Sequence, residues 1–307
     1  MVVGSLDWYA LCMKWWSWLV MGVLSGLLWI GVQMPDEKLH VVFCDVGQGD
    51  ATLIIRKEFQ VVVDGGPGGE KLLSCLGRHL PFWDREIDLV VNTHPQKDHL
   101  GGLDELLERY RVERLMINGV FGGGKDAVRL RKLVGEGEVE IVLPREGDVL
   151  RKGSLQFEVL WPEERVGSSL AWSDPSRMDL VSEIVLGKNT DVNILSVVGL
   201  LRYGEFEVLL TGDIGIDEER DLLKRGSLME VDVLKVAHHG SKYSSSDEFI
   251  KKVSPKVAVI QVGKNNFGHP TEEVLDKLKK IGSQVFRNDL DGDVEVVSDG
   301  QGFWLVD

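Results

Sequence analysis

The chain has few cysteines and no basic excess, and each shortage closes off a class of function. Cys12, Cys44 and Cys75 are its three cysteines, far apart in 307 residues and without a CxxC pair. That excludes a thiolate zinc module and gives no sign of a disulfide scaffold, so the cysteines are expected to serve as packing material. Lys and Arg number 35 against 49 Asp and Glu, a formal net charge of −14. A protein that grips nucleic acid through its whole surface needs the opposite balance, because neutralising phosphates takes clustered Lys and Arg. Any nucleic-acid contact must therefore be local. The rest of the composition, 43% hydrophobic and 27% charged, is that of an ordinary globular chain, long enough for one large domain or two modest ones.

Charge is also missing from one stretch. Trp15 to Met34 contains no charged residue, and about 20 such positions suffice for a helix to cross the hydrocarbon core of a bilayer. Trp15, Trp16 and Trp18 at one end and Trp29 near the other fall where interfacial aromatics belong, and Pro35-Asp36-Glu37-Lys38 closes the run. A single membrane span is expected, with residues 1–38 as anchor and short linker and residues 39–307 as one soluble domain. A cleaved signal peptide is the rival reading, disfavoured because Ile30-Gly31-Val32-Gln33 offers no small-x-small cleavage site. Lys14 and the terminal amine, set against Asp7, orient the span weakly toward an inside N-terminus and an extracytoplasmic domain. Gly22 and Gly26 have the GxxxG spacing that lets two helices approach, a spacing that also arises by chance in apolar segments.

From Leu39 the pattern is short β-branched runs punctuated by Gly and Asp. Strands are expected from Leu39 to Phe43, Ala51 to Ile55 and Gln60 to Asp64, followed by a helix around Leu72 to Leu80, a strand from Asp88 to Val91 and an amphipathic helix from Leu103 to Tyr110. Trp161 to Asn189 lacks periodicity and is rich in Ser, Glu and Pro, which marks a long excursion between two halves. The same grammar then repeats: strands from Ile194 to Tyr203 and Phe206 to Leu210, a helix from Asp217 to Lys224 and a strand from Val231 to Val236. Ser245 with Glu248 forms a capping-box pattern for a helix reaching Val253, and Val274, Leu275, Leu278 and Ile281 give the next helix one apolar stripe. Strands from Val257 to Val262 and Asp293 to Val297 complete the set. Two strand-rich halves covered by helices predict an α/β fold, a four-layer αββα sandwich with a site along the shared edge of its two sheets and no second core.

Chemistry concentrates where apolar strands end. Of seven histidines, His94 and His99 lie in Thr93-His94-Pro95-Gln96-Lys97-Asp98-His99-Leu100-Gly101-Gly102, His238 and His239 are adjacent, and His269 stands in Gly268-His269-Pro270. Leu210-Thr211-Gly212-Asp213 ends another apolar strand with a carboxylate. A lone histidine beside a strand is more often a hydrogen-bonded structural residue, but several strand ends carrying candidate ligands make coincidence a poor account. Imidazole and carboxylate together suit Zn²⁺ or Mn²⁺, and a bound dication makes a coordinated water acidic enough to supply hydroxide near neutral pH.

Six segments occur in order: Asp45-Val46-Gly47-Gln48-Gly49-Asp50, Val63-Asp64-Gly65-Gly66, Thr93 to Gly102, Thr211-Gly212-Asp213, His238-His239-Gly240-Ser241 and Gly268-His269-Pro270. Together they resemble the C-terminal metallo-β-lactamase domain of the ComEC-type competence DNA-uptake proteins. The resemblance covers nearly all of residues 39–307, and the apolar run before it is similar to that family's last transmembrane helix. It implies a metallo-β-lactamase-fold hydrolase with one or two divalent ions, Mn²⁺ or Zn²⁺, acting as a nuclease on DNA phosphodiesters, single-stranded DNA above all. A full member of that family carries many membrane helices, whereas a single-pass protein of the cell membrane is expected here, so the channel is expected to be a separate ComEC-type subunit or to be missing.

Carried onto matching positions, His94 belongs to a first metal site, Asp98 and His99 to a second, and Asp213 bridges them. One of His238 and His239 completes the second site, and the sequence leaves open which. Asp98 and His269 are the catalytic candidates, with His269 facing substrate as phosphate contact or proton donor. Asp64 orients the ligands from behind. Gln48 and Asp50 lie in the loop below the site, where turn chemistry explains them equally well. The chain departs from the fold's HxHxDH pattern at Gln96, which stands where a histidine is usual, and Asn193 is the candidate for the missing ligand. Amide oxygen is a weak, hard donor, so a tight second site and a weak or empty first site are expected. Lys235, Lys242 and Lys264, close in sequence to the ligand segments, predict local positive charge, whereas Lys251, Lys252, Lys277, Lys279 and Lys280 read as solvated helix faces. Two other functions share the pattern: a phosphodiesterase for cell-surface phosphoesters, and a non-catalytic module that binds DNA or a channel subunit.

Overall fold

Side-chain alternation within the strands builds the molecule. The computed structural model describes residues 15–16, 18–26, 35–122, 124–137, 139–163 and 191–306. In β1 (Leu39–Phe43), Leu39, Val41 and Phe43 enter one core while Val42 enters another on the opposite face, as a period of two requires. β1, β2 (Thr52–Arg56) and β3 (Phe59–Val63) form an antiparallel meander. β4 (Glu86–Asn92), β5 (Arg111–Ile117) and β6 (Glu140–Val142) then extend the sheet in parallel.

The second sheet repeats this change of direction. β7 (Val149–Lys152), β8 (Leu155–Trp161), β9 (Val198–Tyr203) and β10 (Phe206–Leu210) are antiparallel neighbours, and β11 (Val233–Lys235), β12 (Val257–Ile260) and β13 (Gln284–Arg287) continue in parallel. β14 (Val294–Ser298) and β15 (Phe303–Val306) return to the first sheet beside β1. Parallel neighbours need crossovers, and helices supply them: α1 (Gly69–His79), α2 (Lys97–Leu100), α3 (Leu103–Arg109) and α4 (Lys125–Glu136) in the first half, α5 (Ile216–Arg225), α6 (Asp247–Val253) and α7 (Glu272–Lys280) in the second, while α8 (Asn288–Asp291) joins β13 to β14.

Three apolar layers follow. Leu72, Leu76, Leu103, Leu106 and Leu130 cover the outer face of the first sheet, and Leu222, Phe249, Ile250, Val274 and Leu278 cover that of the second. Between the sheets lie Val41, Phe43, Val61, Leu89 and Val91 from one side and Phe157, Leu201, Val208, Val233 and Val259 from the other. The order is helices, sheet, sheet, helices, a mixed α/β architecture with two central sheets, as expected.

Several expectations differ from the structure or fall outside the described residues. Trp15, Trp16 and Val20 belong to a helical stretch and are exposed, but among the described residues no helix is long and apolar enough to cross a membrane. The remainder of the expected span, including Trp29, lies outside the described residues, as do Cys12 and most of the excursion from Trp161 to Asn189. Ile194 falls in a 3₁₀ turn, Val192–Leu195, so the strand expected from it begins only at Val198. Ser246 caps α6 by accepting from the Phe249 amide, while Ser245, expected in that role, is turned away at φ +59°. Lys277 is half-buried and donates to the Ser245 carbonyl, so it is more than a solvated charge. Cys44 and Cys75, expected to be mere packing, form a disulfide with 5.9 Å between their Cα atoms. Cys44 follows β1 and Cys75 lies on the buried face of α1, so the first apolar layer brings together thiols that are 31 residues apart.

Candidate metal centre

The ends of five strands in parallel ladders supply the site. β3 leads into Asp64, β4 into Thr93 and His94, β10 into Asp213, β11 into the 3₁₀ turn Ala237–Gly240, and β12 into Gln261. α2 adds Asp98 and His99 one turn beyond His94. Asp64, His238 and His239 have φ values of +62°, +50° and +52°, a left-handed conformation that costs of order 1–3 kcal/mol in a residue with a side chain and clusters at functional sites. Gly49 is needed for a different reason: at φ +144° a Cβ there would come within 2.3 Å of the Asp98 carbonyl. That close approach lets the Asp50 amide donate to the Asp98 carbonyl at 3.1 Å and fixes the Asp45 to Asp50 loop beneath α2.

Five side chains converge. Asp213 Oδ2 is 3.3 Å from His99 Nε2 and 3.4 Å from His239 Nε2, and Asp98 Oδ2 is 3.3 Å from His239 Nε2. The His94 and His99 rings lie 4.1 Å apart. Each imidazole is held from behind. The Thr93 hydroxyl donates to Asp64 Oδ2 at 2.7 Å and so accepts from His94 Nδ1 at 3.1 Å. His99 Nδ1 donates to Asp64 Oδ2 at 2.8 Å, and His239 Nδ1 donates to the Gln261 carbonyl at 2.8 Å. With Nδ1 engaged, the Nε2 atoms of His94, His99 and His239 are buried and have no hydrogen-bond partner. Unmet buried nitrogens are costly and rare. Three such imidazoles, each steadied by a hydrogen bond from behind and two of them beside carboxylates, fit a divalent ion of the imidazole-binding kind.

The other expected residues sort by distance. Asp50, placed in the loop below, comes closer than expected: Asp50, His99, Asp213 and His239 each offer a ligand atom within 4.8 Å of the others. His238 does not join its neighbour. It is half-buried, its ring 6.3 Å from that of His239 and 5.8 Å from that of His269. His269 sits at the rim, its backbone held by Asn265. Gln48 accepts from the Gly263 amide at 3.3 Å, a structural tie between loops. Gln96 donates to Asn193 Oδ1 at 2.6 Å, so the two amides engage each other. Lys242 and Lys264 are exposed, but Lys235 is 2% exposed and lies inside the site. Reading charge by sequence distance grouped these three lysines, and only the strand register separates them.

Electrostatics follow from packing many charges into a buried space. Burial works against charge on His99 and His239, yet the nearby carboxylates outweigh it. Asp213, Asp64 and Asp50 push His99 well above its usual range, and Asp213, Asp50 and Asp98 push His239 up to about 10. His94 goes the other way, to about 3, through burial and the neighbouring charge of His99. Burial would raise Asp98, but His239, 3.3 Å away, and the charge of His99 bring it down to about 2. Burial raises Asp64 against the pull of His99, whereas in Asp213 the charges of His239, His99 and Lys235 overcome burial and hold the carboxyl well below the usual range.

This fold and this group of ligands define a class, and the chain belongs to the Metallo-beta-lactamase superfamily, whose family profile matches residues 44–264. Particular relatives are competence proteins. The chain is 33% identical over 275 residues to ComE operon protein 3 of Bacillus subtilis (strain 168), covering 83% of this chain and 32% of that protein. It is 27% identical over 261 residues to competence protein ComA of Neisseria gonorrhoeae, covering 84% of this chain and 32% of that one. The chain thus spans about a third of the length of these curated relatives. Among solved structures, the metallo-beta-lactamase fold protein YhfI from Bacillus subtilis superposes with a TM-score of 0.54 at 12% identity, over 85% of this chain and all of that one, a likeness of fold.

Proposed function

We propose that this chain is a divalent-metal-dependent phosphodiesterase that cleaves DNA within a competence DNA-uptake system. The observation that carries the reading is the convergence of the buried Nε2 atoms of His99 and His239, neither hydrogen-bonded, on Asp213 and Asp98, with the His94 ring 4.1 Å from that of His99. DNA as substrate rests on the similarity to competence proteins. In this reading Asp98, His99, Asp213 and His239 hold an ion tightly, and His94 stands alongside with only Gln96 and Asn193 for company. A bound ion supplies Lewis-acid polarisation of a phosphoryl oxygen and acidifies a water. Asp98, kept anionic and partly open to solvent, receives the proton of the attacking water. His269, pushed below its usual pKa by burial and by His238 and His239, meets the phosphate as a neutral imidazole N–H donor. Exposed Lys242 and Lys264 beside the ligand loops give the strand a local basic path.

The domain, residues 39–307, works outside the cytoplasm in this reading. The Cys44–Cys75 disulfide supports that location, because such bonds persist in oxidising compartments. Residues 1–38 tether it to the cell membrane in the same reading, through the uncharged run from Trp15 to Met34.

The test is hydrolysis of single-stranded and double-stranded DNA by the full chain with Mn²⁺, Zn²⁺, Mg²⁺ or EDTA, beside an Asp213→Ala control. Metal-dependent cleavage, lost in the control, is expected. A folded protein that cleaves neither DNA with any ion rejects the nuclease. Cleavage of a small phosphodiester alone would then assign a surface-phosphoester substrate.

A further inference from the structure

Lys235 stands where the fold calls for an apolar residue. On β11, Val233 enters the core between the sheets and Leu234 the outer core, so Lys235 points inward with Val233. Its register partners, Leu210 and Val259, both belong to that inter-sheet core. Lys235 is 2% exposed, and its ammonium donates to the Gly212 carbonyl at 2.8 Å, is ion-paired with Asp50 and lies 3.5 Å from Asp213 Oδ1. A buried charge is retained only where it is paired, and apolar replacements at such positions often cost nothing. Its position therefore asks for a role in the site.

Asp213 shows what that role is. Its Oδ2 faces the imidazoles of His99 and His239, while its Oδ1 faces the ammonium. A carboxylate set between two metal ions in this fold would meet cations on both sides. Here one side already carries a fixed positive charge. Among the described residues the other half of a two-ion site is also poor in donors, because His94 is its only imidazole and the Gln96 amide nitrogen occupies the Asn193 oxygen.

We infer that Lys235 is a built-in cation that occupies the charge of one metal ion, so that the chain binds a single divalent ion. This rests on the metal-dependent reading above. Lys235 is then a positioning residue: it turns Asp213 so that one oxygen serves the ion, and it neutralises Asp50 beneath.

The experiment is equilibrium uptake of Mn²⁺ by the full chain, counted as ions per chain, with electron paramagnetic resonance to detect coupling between paired ions. The wild type is expected to take one uncoupled ion, as is Lys235→Arg, which keeps the charge. Lys235→Met removes the ammonium and frees Asp50 and Asp213 Oδ1, and is expected to take two. A folded Lys235→Met chain that still takes one ion overturns the inference. So does a wild type that takes two, an outcome independent of whether the variant folds. A wild type that takes up no ion rejects the metal-centred function itself, which separates the two failures.

Discussion

His99 and His239 each use their two ring nitrogens for different ends, and that division links the site to pH. Nδ1 is committed to Asp64 in one ring and to the Gln261 carbonyl in the other. In the ion-free protein the surrounding carboxylates keep a proton on both rings, His239 up to about 10. Binding of an ion at Nε2 requires those protons to leave, so affinity should rise with pH and binding should release protons. Calorimetric titration with Mn²⁺ in buffers of different ionisation enthalpy would count them, and a buffer-independent heat would contradict the assignment of these rings as ligands. Ion-free stability has the opposite trend. The folded pKa of His239 lies above its ordinary 6.5, so its contribution is full below 6.5 and fades as pH rises toward 10. The ion-free chain is therefore expected to melt at progressively lower temperature over that window, as thermal unfolding in EDTA would measure. Sequence alone named His94, Asp98, His99 and Asp213, side chains that the structure brings together. It left His238 and His239 undivided, because the choice turns on two consecutive left-handed residues.

Elements hold these residues through ties that strand and helix patterns do not display. The Asp45 to Asp50 loop leaves β1 next to the disulfide, and the Asp45 amide donates to Asp293 Oδ1 at 2.8 Å. Asp293 also accepts from Arg78 and His79 at the end of α1. The disulfide and this ion cluster thus fasten the same helix to the strand that leads into the site. Removing the disulfide as Cys44→Ala/Cys75→Ala should cost about 3–4 kcal/mol on the loop-entropy estimate for a closure of this length. Urea unfolding checks this, and an unchanged midpoint would show that the bond contributes nothing. Helix and strand positions were legible wherever periodicity was strong, as in α1, α3, α7 and β10. The capping position of α6 was shifted by one residue, since Ser245 and Ser246 are both capable caps and only the backbone turn at Ser245 selects between them.

At the scale of the molecule, a net charge of −14 coexists with a proposed DNA substrate. Screening over roughly 8 Å at physiological ionic strength lets a few lysines govern a local contact. Single-stranded DNA should therefore bind with a shallow salt dependence, a slope of about −2 to −3 in log K against log salt, corresponding to three or four phosphates. Fluorescence anisotropy at several salt concentrations measures it. A slope several times steeper would mean a basic surface that the composition does not contain.

By itself the sequence determined the fold class and most of the ligand candidates. Alternating apolar runs specify strands locally, and ligand-bearing segments at strand ends are local features too. Tertiary structure alone decided the pairing of Cys44 with Cys75, the choice of His239 over His238, the coupling of Gln96 to Asn193 and the entry of Lys235 into the site. Each of these depends on which elements lie side by side and which face a residue presents. Those are set by the packing of the whole chain, because residues far apart in sequence share one interior only after both sheets have closed on each other.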